Sequence, residues 1–138
     1  MSTDQGTIEK QRFEALSEFR FRLRSFLRFS EDAARIEGIT VLQYQLMLHT
    51  QGFPHRQWAT IGELAERLQA QPHGVVALVS RCEEAGLVKR KPSLVDRRQV
   101  EVHLLALGRK KLARLAAQHA GQLSELAEVV RLASRLED

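Results

Sequence analysis

The chain has 138 residues, 43% of them hydrophobic and 28% charged, with a net charge of +4. That is the size and balance of one globular domain; it excludes a membrane-spanning protein, because acids or bases interrupt every apolar run. The N-terminus is polar and lacks a secretory apolar stretch, and Cys82 is the only cysteine, so a cytoplasmic protein without an internal disulfide is expected.

In chain order, residues from about Ile8 to Ile36 predict one long helix, with Phe13, Leu16, Phe19, Leu23, Phe26 and Leu27 at helical spacing and Gly38 closing it. Thr40 and Gln43 form a T-x-x-Q capping box that opens a second helix, stopped by Gly52 and Pro54. Gly52 to Ala59 reads as a loop. Thr60 with Glu63 opens a third helix in the same way, and Ile61, Leu64, Ala65 and Leu68 give it an apolar face. After the turn Gln69-Ala70-Gln71, Pro72 suits the first position of a fourth helix, where its missing N–H is harmless. Val75, Leu78, Val79 and Cys82 form that helix's apolar face, and Gly86 fits the left-handed position beyond its end. Leu87 to Lys91 predicts a strand. Val100, Val102 and Leu104, alternating with polar neighbours, predict a second, with SLVDRR as the hairpin connection. From about Ala106 to Leu136 the pattern is again helical, with a possible break at Gly121. The predicted fold is therefore mostly α with a small two-stranded β wing.

Two short capped helices joined by a three-residue turn make a helix-turn-helix. Its second helix presents Gln71, Pro72, His73, Gly74 and Ala77 at the N-terminal end, with Arg81 further along, on the face where base edges are met. The hairpin that follows carries Lys89, Arg90, Lys91, Arg97 and Arg98, a set suited to phosphates and the minor groove. Between Arg81 and Arg114 lie ten basic and four acidic residues, so this quarter of the chain holds more than the whole net charge. Charge clustering alone is most often a solvated face. Joined to a helix-turn-helix, it is the footprint of a nucleic-acid surface.

The stretch TIGELAERLQAQPHGVVALVSRCEEAGLVKRKPSLVDRRQVEVHLLALGRKKL resembles the winged-helix core of MarR-type bacterial transcriptional regulators. ELAERL, LVSRCEEAGLVKR, the DRR of the wing tip and Gly108-Arg109 carry the likeness, and GITVLQYQLML resembles the family's second helix. The likeness is close over about residues 38–115 and one of pattern at the two ends. It implies a single MarR-like domain over residues 1–138, with dimerisation helices at about 8–36 and 106–137 around a winged helix-turn-helix core at about 38–105. It further implies a homodimer on a pseudo-palindromic operator, with recognition helices in successive major grooves and wings in the flanking minor grooves. By position, residues 72–85 are the recognition helix, Arg97 and Arg98 are the wing-tip bases, and Asp96 orients them through a charge-assisted hydrogen bond. Many members are repressors released by a small aromatic or phenolic effector. Such an effector pocket would be lined by Phe19, Phe26, Tyr44 and Met47. Gly74, Val75, Val76 and Ala77 are less polar than is usual at the start of this helix, and Ala106 stands where the family often has a capping Thr.

Other candidates read as structural. Cys82 lies on the apolar face of the fourth helix, as a buried thiol would. His49, His55, His73, His103 and His119 make no i, i+4 pair and there is no Cys-x-x-Cys, so no metal or cofactor is expected. Trp58, beside Arg56, reads as a packing anchor. No Gly-rich phosphate loop or nucleophile elbow appears, which argues against an enzyme. The expected function is a sequence-specific double-stranded DNA-binding regulator, a homodimeric repressor. The alternative is a winged-helix protein–protein interaction module, for which five wing cations would be unusual.

Overall fold

A computed structural model describes residues 2–137. By their contacts these divide into two compact units, one running from Ala34 to Ala116 and the other made of the chain up to Ala33 and from Ala117. Both boundaries fall inside helices: α1 spans Ser2–Ile36 and α5 spans Ala106–Ser134, followed by a 3-10 turn at Arg135–Glu137. Helix α1 starts earlier than its apolar stripe predicts. Helix α5 runs through Gly121 without the break considered from sequence; one mid-helix glycine costs only about 1 kcal/mol relative to alanine.

The central unit orders as α2 (Val41–Gln51), β1 (Trp58–Thr60), α3 (Ile61–Leu68), α4 (Pro72–Glu84), β2 (Val88–Pro92) and β3 (Val100–Leu104) between the inner ends of α1 and α5. Both capping boxes form. The Gln43 N–H donates to Thr40 Oγ1 at 3.1 Å and the Thr40 N–H to Gln43 Oε1 at 2.9 Å; Thr60 and Glu63 repeat the exchange at 3.2 and 2.9 Å. Gln69, in the left-handed region at φ 52°, ends α3 and turns the chain into α4, with Pro72 in its first turn. Helix α4 ends in a Schellman motif: the Leu87 N–H donates to the Cys82 carbonyl and the Gly86 N–H to the Glu83 carbonyl, both at 2.9 Å. That closure needs φ +74° at Gly86, a conformation glycine adopts without a Cβ penalty.

The predicted two-stranded wing is part of a three-stranded antiparallel sheet of order β1-β3-β2. The segment read as a loop thus contains a strand, with Trp58 opposite His103, Ala59 opposite Val102 and Thr60 opposite Glu101. Three residues are too few to show a period of two, and the partner strand lies some forty residues away in sequence. Leu46, Met47, Leu64, Val75, Val79, Cys82, Leu87, Val88, Val102 and Leu115 are fully buried and form this unit's core. Gly108, near the start of α5, passes directly over the Leu87 carbonyl: a Cβ there would lie 2.2 Å from that oxygen.

The second unit is a pair of helical arms. Among its described residues only Ser30, Ala33 and His119 are buried. Ser30 Oγ and His119 Nε2 are hydrogen-bonded at 2.7 Å, and the Phe26 and Phe29 rings stand edge-on to the imidazole. Ile8, Phe13, Leu16, Phe21, Leu27, Leu123, Val130 and Leu132 remain exposed. Among the described residues no helix is long and apolar enough to cross a membrane.

Candidate nucleic-acid interface

Helix α4 buries Val75, Leu78, Val79 and Cys82 and turns Gln71, Pro72, His73, Gly74, Ala77 and Arg81 to solvent. The division follows from helical periodicity: the buried set recurs at three- and four-residue spacing, so the intervening positions share the outer face. That outer face is low. Gly74 has open space where a Cβ would stand and Ala77 adds one methyl, so His73 and Gln71 are the groups that project from the helix start. Arg81 lies about two and a half turns from the first residue.

On the wing, register decides which cations are free. Val88 is buried, Lys89 and Lys91 are exposed, and Arg90 is only partly exposed. Arg90 lies opposite the buried Val102, so it shares the inward parity of Val88. Its guanidinium pairs with the Glu83 carboxylate and donates to the Val76 carbonyl at 2.9 Å and to Ser80 Oγ at 2.8 Å. The Arg90 N–H also donates to Glu83 Oε2 at 3.3 Å. Arg90, grouped from sequence with the DNA-contacting cations, makes these bonds to α4 and braces the wing against that helix. Glu83 and Ser80, the acceptors of this brace, were missed from sequence, although the inward parity of Arg90 pointed to such a partner.

The wing tip is closed by its own side chains. Ser93 Oγ accepts from the Val95 and Asp96 N–H groups at 3.2 and 3.1 Å. Asp96 Oδ1 accepts from the Arg98 N–H at 3.0 Å and from Arg98 Nε at 3.2 Å. These bonds from Arg98 hold the Asp96 carboxyl below its ordinary range. The orienting role expected of Asp96 is therefore met for Arg98, whereas Arg97 is exposed and enters no salt bridge among the described residues. The same is true of Arg81, Lys89 and Lys91.

Behind the helix pair, Arg56 stacks on Trp58 at 4.0 Å and Phe53 at 4.2 Å from the ring centroids and pairs with Glu63. Trp58 also stacks on His103. It is a packing anchor, as its sequence context suggested. Burial pushes the Cys82 thiol up to about 11, against the pull of Arg81. No cluster of three or more metal-ligating side chains occurs among the described residues. Of the residues considered for an effector, Phe19 and Phe26 belong to the helical arms and Tyr44 and Met47 are buried in the central unit. Phe19 lines an apolar cleft of about 360 Å³ between α1 and α5, with Leu16, Val130 and Leu136.

A capped helix pair, a low outer face on its second helix and a braced cationic hairpin define a winged helix-turn-helix protein. Residues 37–99, which hold the helix-turn-helix, match the model of the MarR family. Proteins of that family are transcription regulators and not enzymes. No curated protein matches the chain in sequence. Among solved structures, disulfide-formed AbfR superposes over 99% of this chain and 94% of its own, with TM-score 0.74 and 21% identity. AbsC, a MarR family transcriptional regulator from Streptomyces coelicolor, gives TM-score 0.71 and 18% identity over 88% of this chain and 86% of its own. A cysteine-to-serine mutant of MarR from E. coli, complexed with operator DNA, gives TM-score 0.68 and 20% identity over 86% and 87%. At these identities the likeness is one of fold.

Proposed function

We propose that this chain is a sequence-specific, double-stranded DNA-binding transcriptional regulator that acts in the cytoplasm as a homodimeric repressor on a pseudo-palindromic operator. The observation that carries this reading is the pairing, on one unit, of an exposed recognition face on α4 with a wing whose Lys89, Lys91 and Arg97 are left without acidic partners. In this reading Gln71, His73 and Arg81 meet bases or phosphates in the major groove, and Lys89, Lys91, Arg97 and Arg98 meet phosphates or enter the minor groove. The E. coli MarR structure, determined with operator DNA, supports the same use of the shared fold.

Dimerisation is favoured by the helical arms. Phe13, Leu16 and Phe21 are each about 60% exposed, and an apolar surface of that extent on a sparsely buried helix pair calls for a second copy. A small aromatic or phenolic effector completes the proposal, with Phe19 and its apolar cleft as the part of the expected pocket that lies within the arms.

The test is salt-dependent binding to duplex DNA by fluorescence anisotropy. Each phosphate neutralised releases condensed counterions, so log affinity falls against log salt with a slope of about −0.9 per contact. Arg97→Ala with Arg98→Ala is expected to weaken binding to every duplex and flatten that slope by roughly one to two units per subunit. An unchanged slope would remove the wing from the interface; no duplex binding at low salt would leave the chain as a protein-interaction module.

A further inference from the structure

The wing tip carries a feature that charge does not explain. Leu94 and Val95 are 90% and 97% exposed, the highest values among the large hydrophobic side chains of the described residues. They are consecutive and sit at the apex of the β2–β3 connection. The loop that carries them is held closed: Ser93, itself buried, accepts from the Val95 and Asp96 N–H groups. The Ser93 N–H donates to the Gln99 carbonyl at 3.2 Å, and the Gln99 N–H to the Asp96 carbonyl at 3.0 Å. The Asp96 carboxylate ties down Arg98. Two aliphatic side chains are thus presented outward on a preorganised turn, separated by Asp96 alone from two exposed arginines.

We propose that Leu94 and Val95 form an apolar wedge that the wing inserts into the DNA minor groove, where it selects for deformable base steps flanking the recognition site. The inference rests on the DNA-binding reading above and assigns to this pair a role distinct from that of the arginines. Arg97 and Arg98 fix the sign of the partner: it is an anion. The two apolar side chains require that this anion offer a narrow crevice with apolar walls, and the minor groove, walled by deoxyribose, does so between two phosphate rows. Aliphatic side chains wedged there partly unstack a base step and kink the duplex. The free energy of that distortion depends on the step, being least for TA and CA/TG and greatest in stiff A-tracts. Because Ser93 and Asp96 already order the loop, little conformational entropy remains to be lost on insertion. A protein partner fits less well, since two side chains cover far less than the roughly 1,000 Å² that a stable protein interface buries. A lipid surface fits less well still, as one short apolar tip gives no lasting anchorage.

The experiment uses the full chain and a duplex selected by the wild-type chain from a randomised pool. Its flanks are then rebuilt with either TA and CA steps or A-tracts, and bending is read by fluorescence energy transfer between end labels. Leu94→Ser with Val95→Ser is expected to bind the selected duplex about tenfold more weakly with the salt slope unchanged, to lose the preference for flexible flanks, and to bend DNA less. Leu94→Met, which keeps the apolar tip, should retain both preference and bending. Both positions are solvent-exposed, so the fold is not at stake, and thermal unfolding of each variant confirms that. Retention of wild-type affinity, flank preference and bending by the double serine variant overturns the wedge and hands the tip to a protein partner. Failure of the wild-type chain to select any duplex is a different result: it overturns the DNA-binding reading itself, and the wedge with it.

Discussion

Replacing Arg90 with Ala separates a brace from a phosphate contact. The Arg90–Glu83 ion pair leaves its side chains about one-third exposed, 30% and 34%, so solvent screening holds it to about 0.5–1 kcal/mol. The hydrogen bonds to the Val76 carbonyl and Ser80 Oγ add about 0.5 kcal/mol each once the entropy of fixing a long side chain is subtracted. The sum is about 1.5–2 kcal/mol per chain, a fall of roughly 5–7 °C in Tm for a chain of this length. Denaturant unfolding and thermal scans at one fixed protein concentration measure it, because a dimer's Tm depends on concentration. Binding is measured in parallel. Since the guanidinium faces α4, Arg90→Ala should loosen the wing and weaken DNA affinity while the salt slope stays the same. Glu83→Ala should reproduce the destabilisation, and the double variant should fall short of the sum by about 1 kcal/mol. Arg90→Lys keeps the charge but cannot reach three acceptors at once, and should recover about half. The reasoning fails if Arg90→Ala leaves stability intact and flattens the slope by about 1.8 for the two subunits, the signature of two lost phosphate contacts.

Gly108→Ala would set a Cβ 2.2 Å from the Leu87 carbonyl oxygen; a loss of about 1–3 kcal/mol or more is expected in urea unfolding, and a variant as stable as the parent would show that α5 can start elsewhere. With its thiol raised to about 11 by burial, Cys82 should react with a disulfide reagent at pH 8 only as fast as the chain unfolds, so rapid stoichiometric labelling of the folded protein would refute its burial. Burial, aided by Arg67, lowers the His49 pKa from its ordinary 6.5. Its stabilising contribution is therefore fully present above pH 6.5 and is lost as the pH falls through the lower folded value. Burial raises the Glu63 pKa, but hydrogen bonds from Thr60 and Arg56 outweigh it and leave the net value below 4.5; its contribution has the same sign and disappears at still lower pH. Stability should thus decline in two stages on acidification, and His49→Gln should abolish the upper stage alone. A single acid transition shared by parent and variant would contradict this.

What could be read from the sequence was what short-range physics decides. Thr40 with Gln43 and Thr60 with Glu63 announce helix starts because each cap is closed within four residues. Gly86 announces a helix end because the Schellman geometry needs a positive φ at that step. Pro72 and the spacing of Val75, Leu78, Val79 and Cys82 place α4 and its buried face together. What stayed hidden depends on partners far along the chain. Strand β1 exists because Trp58–Thr60 finds β3 some forty residues on; alone, three residues have no preference strong enough to register. Gly108 looked like part of a family signature, and its physical reason, the Leu87 carbonyl beneath it, appears only when α5 meets the end of α4. Arg90 lies between these cases. Counted as charge, it is one of five wing cations; counted by strand parity, it points the same way as the buried Val88 while Lys89 and Lys91 point the other way. An inward-facing arginine cannot remain unpaired beside a packed helix, so parity alone already points to an acceptor on α4, and of the two acids in its last turn, Glu83 and Glu84, Glu83 is the half-buried one. Net charge on a hairpin therefore overstates its capacity for DNA. The cations that count are those whose register turns them away from the core, and here register reduces five to Lys89, Lys91, Arg97 and an Arg98 already shared with Asp96.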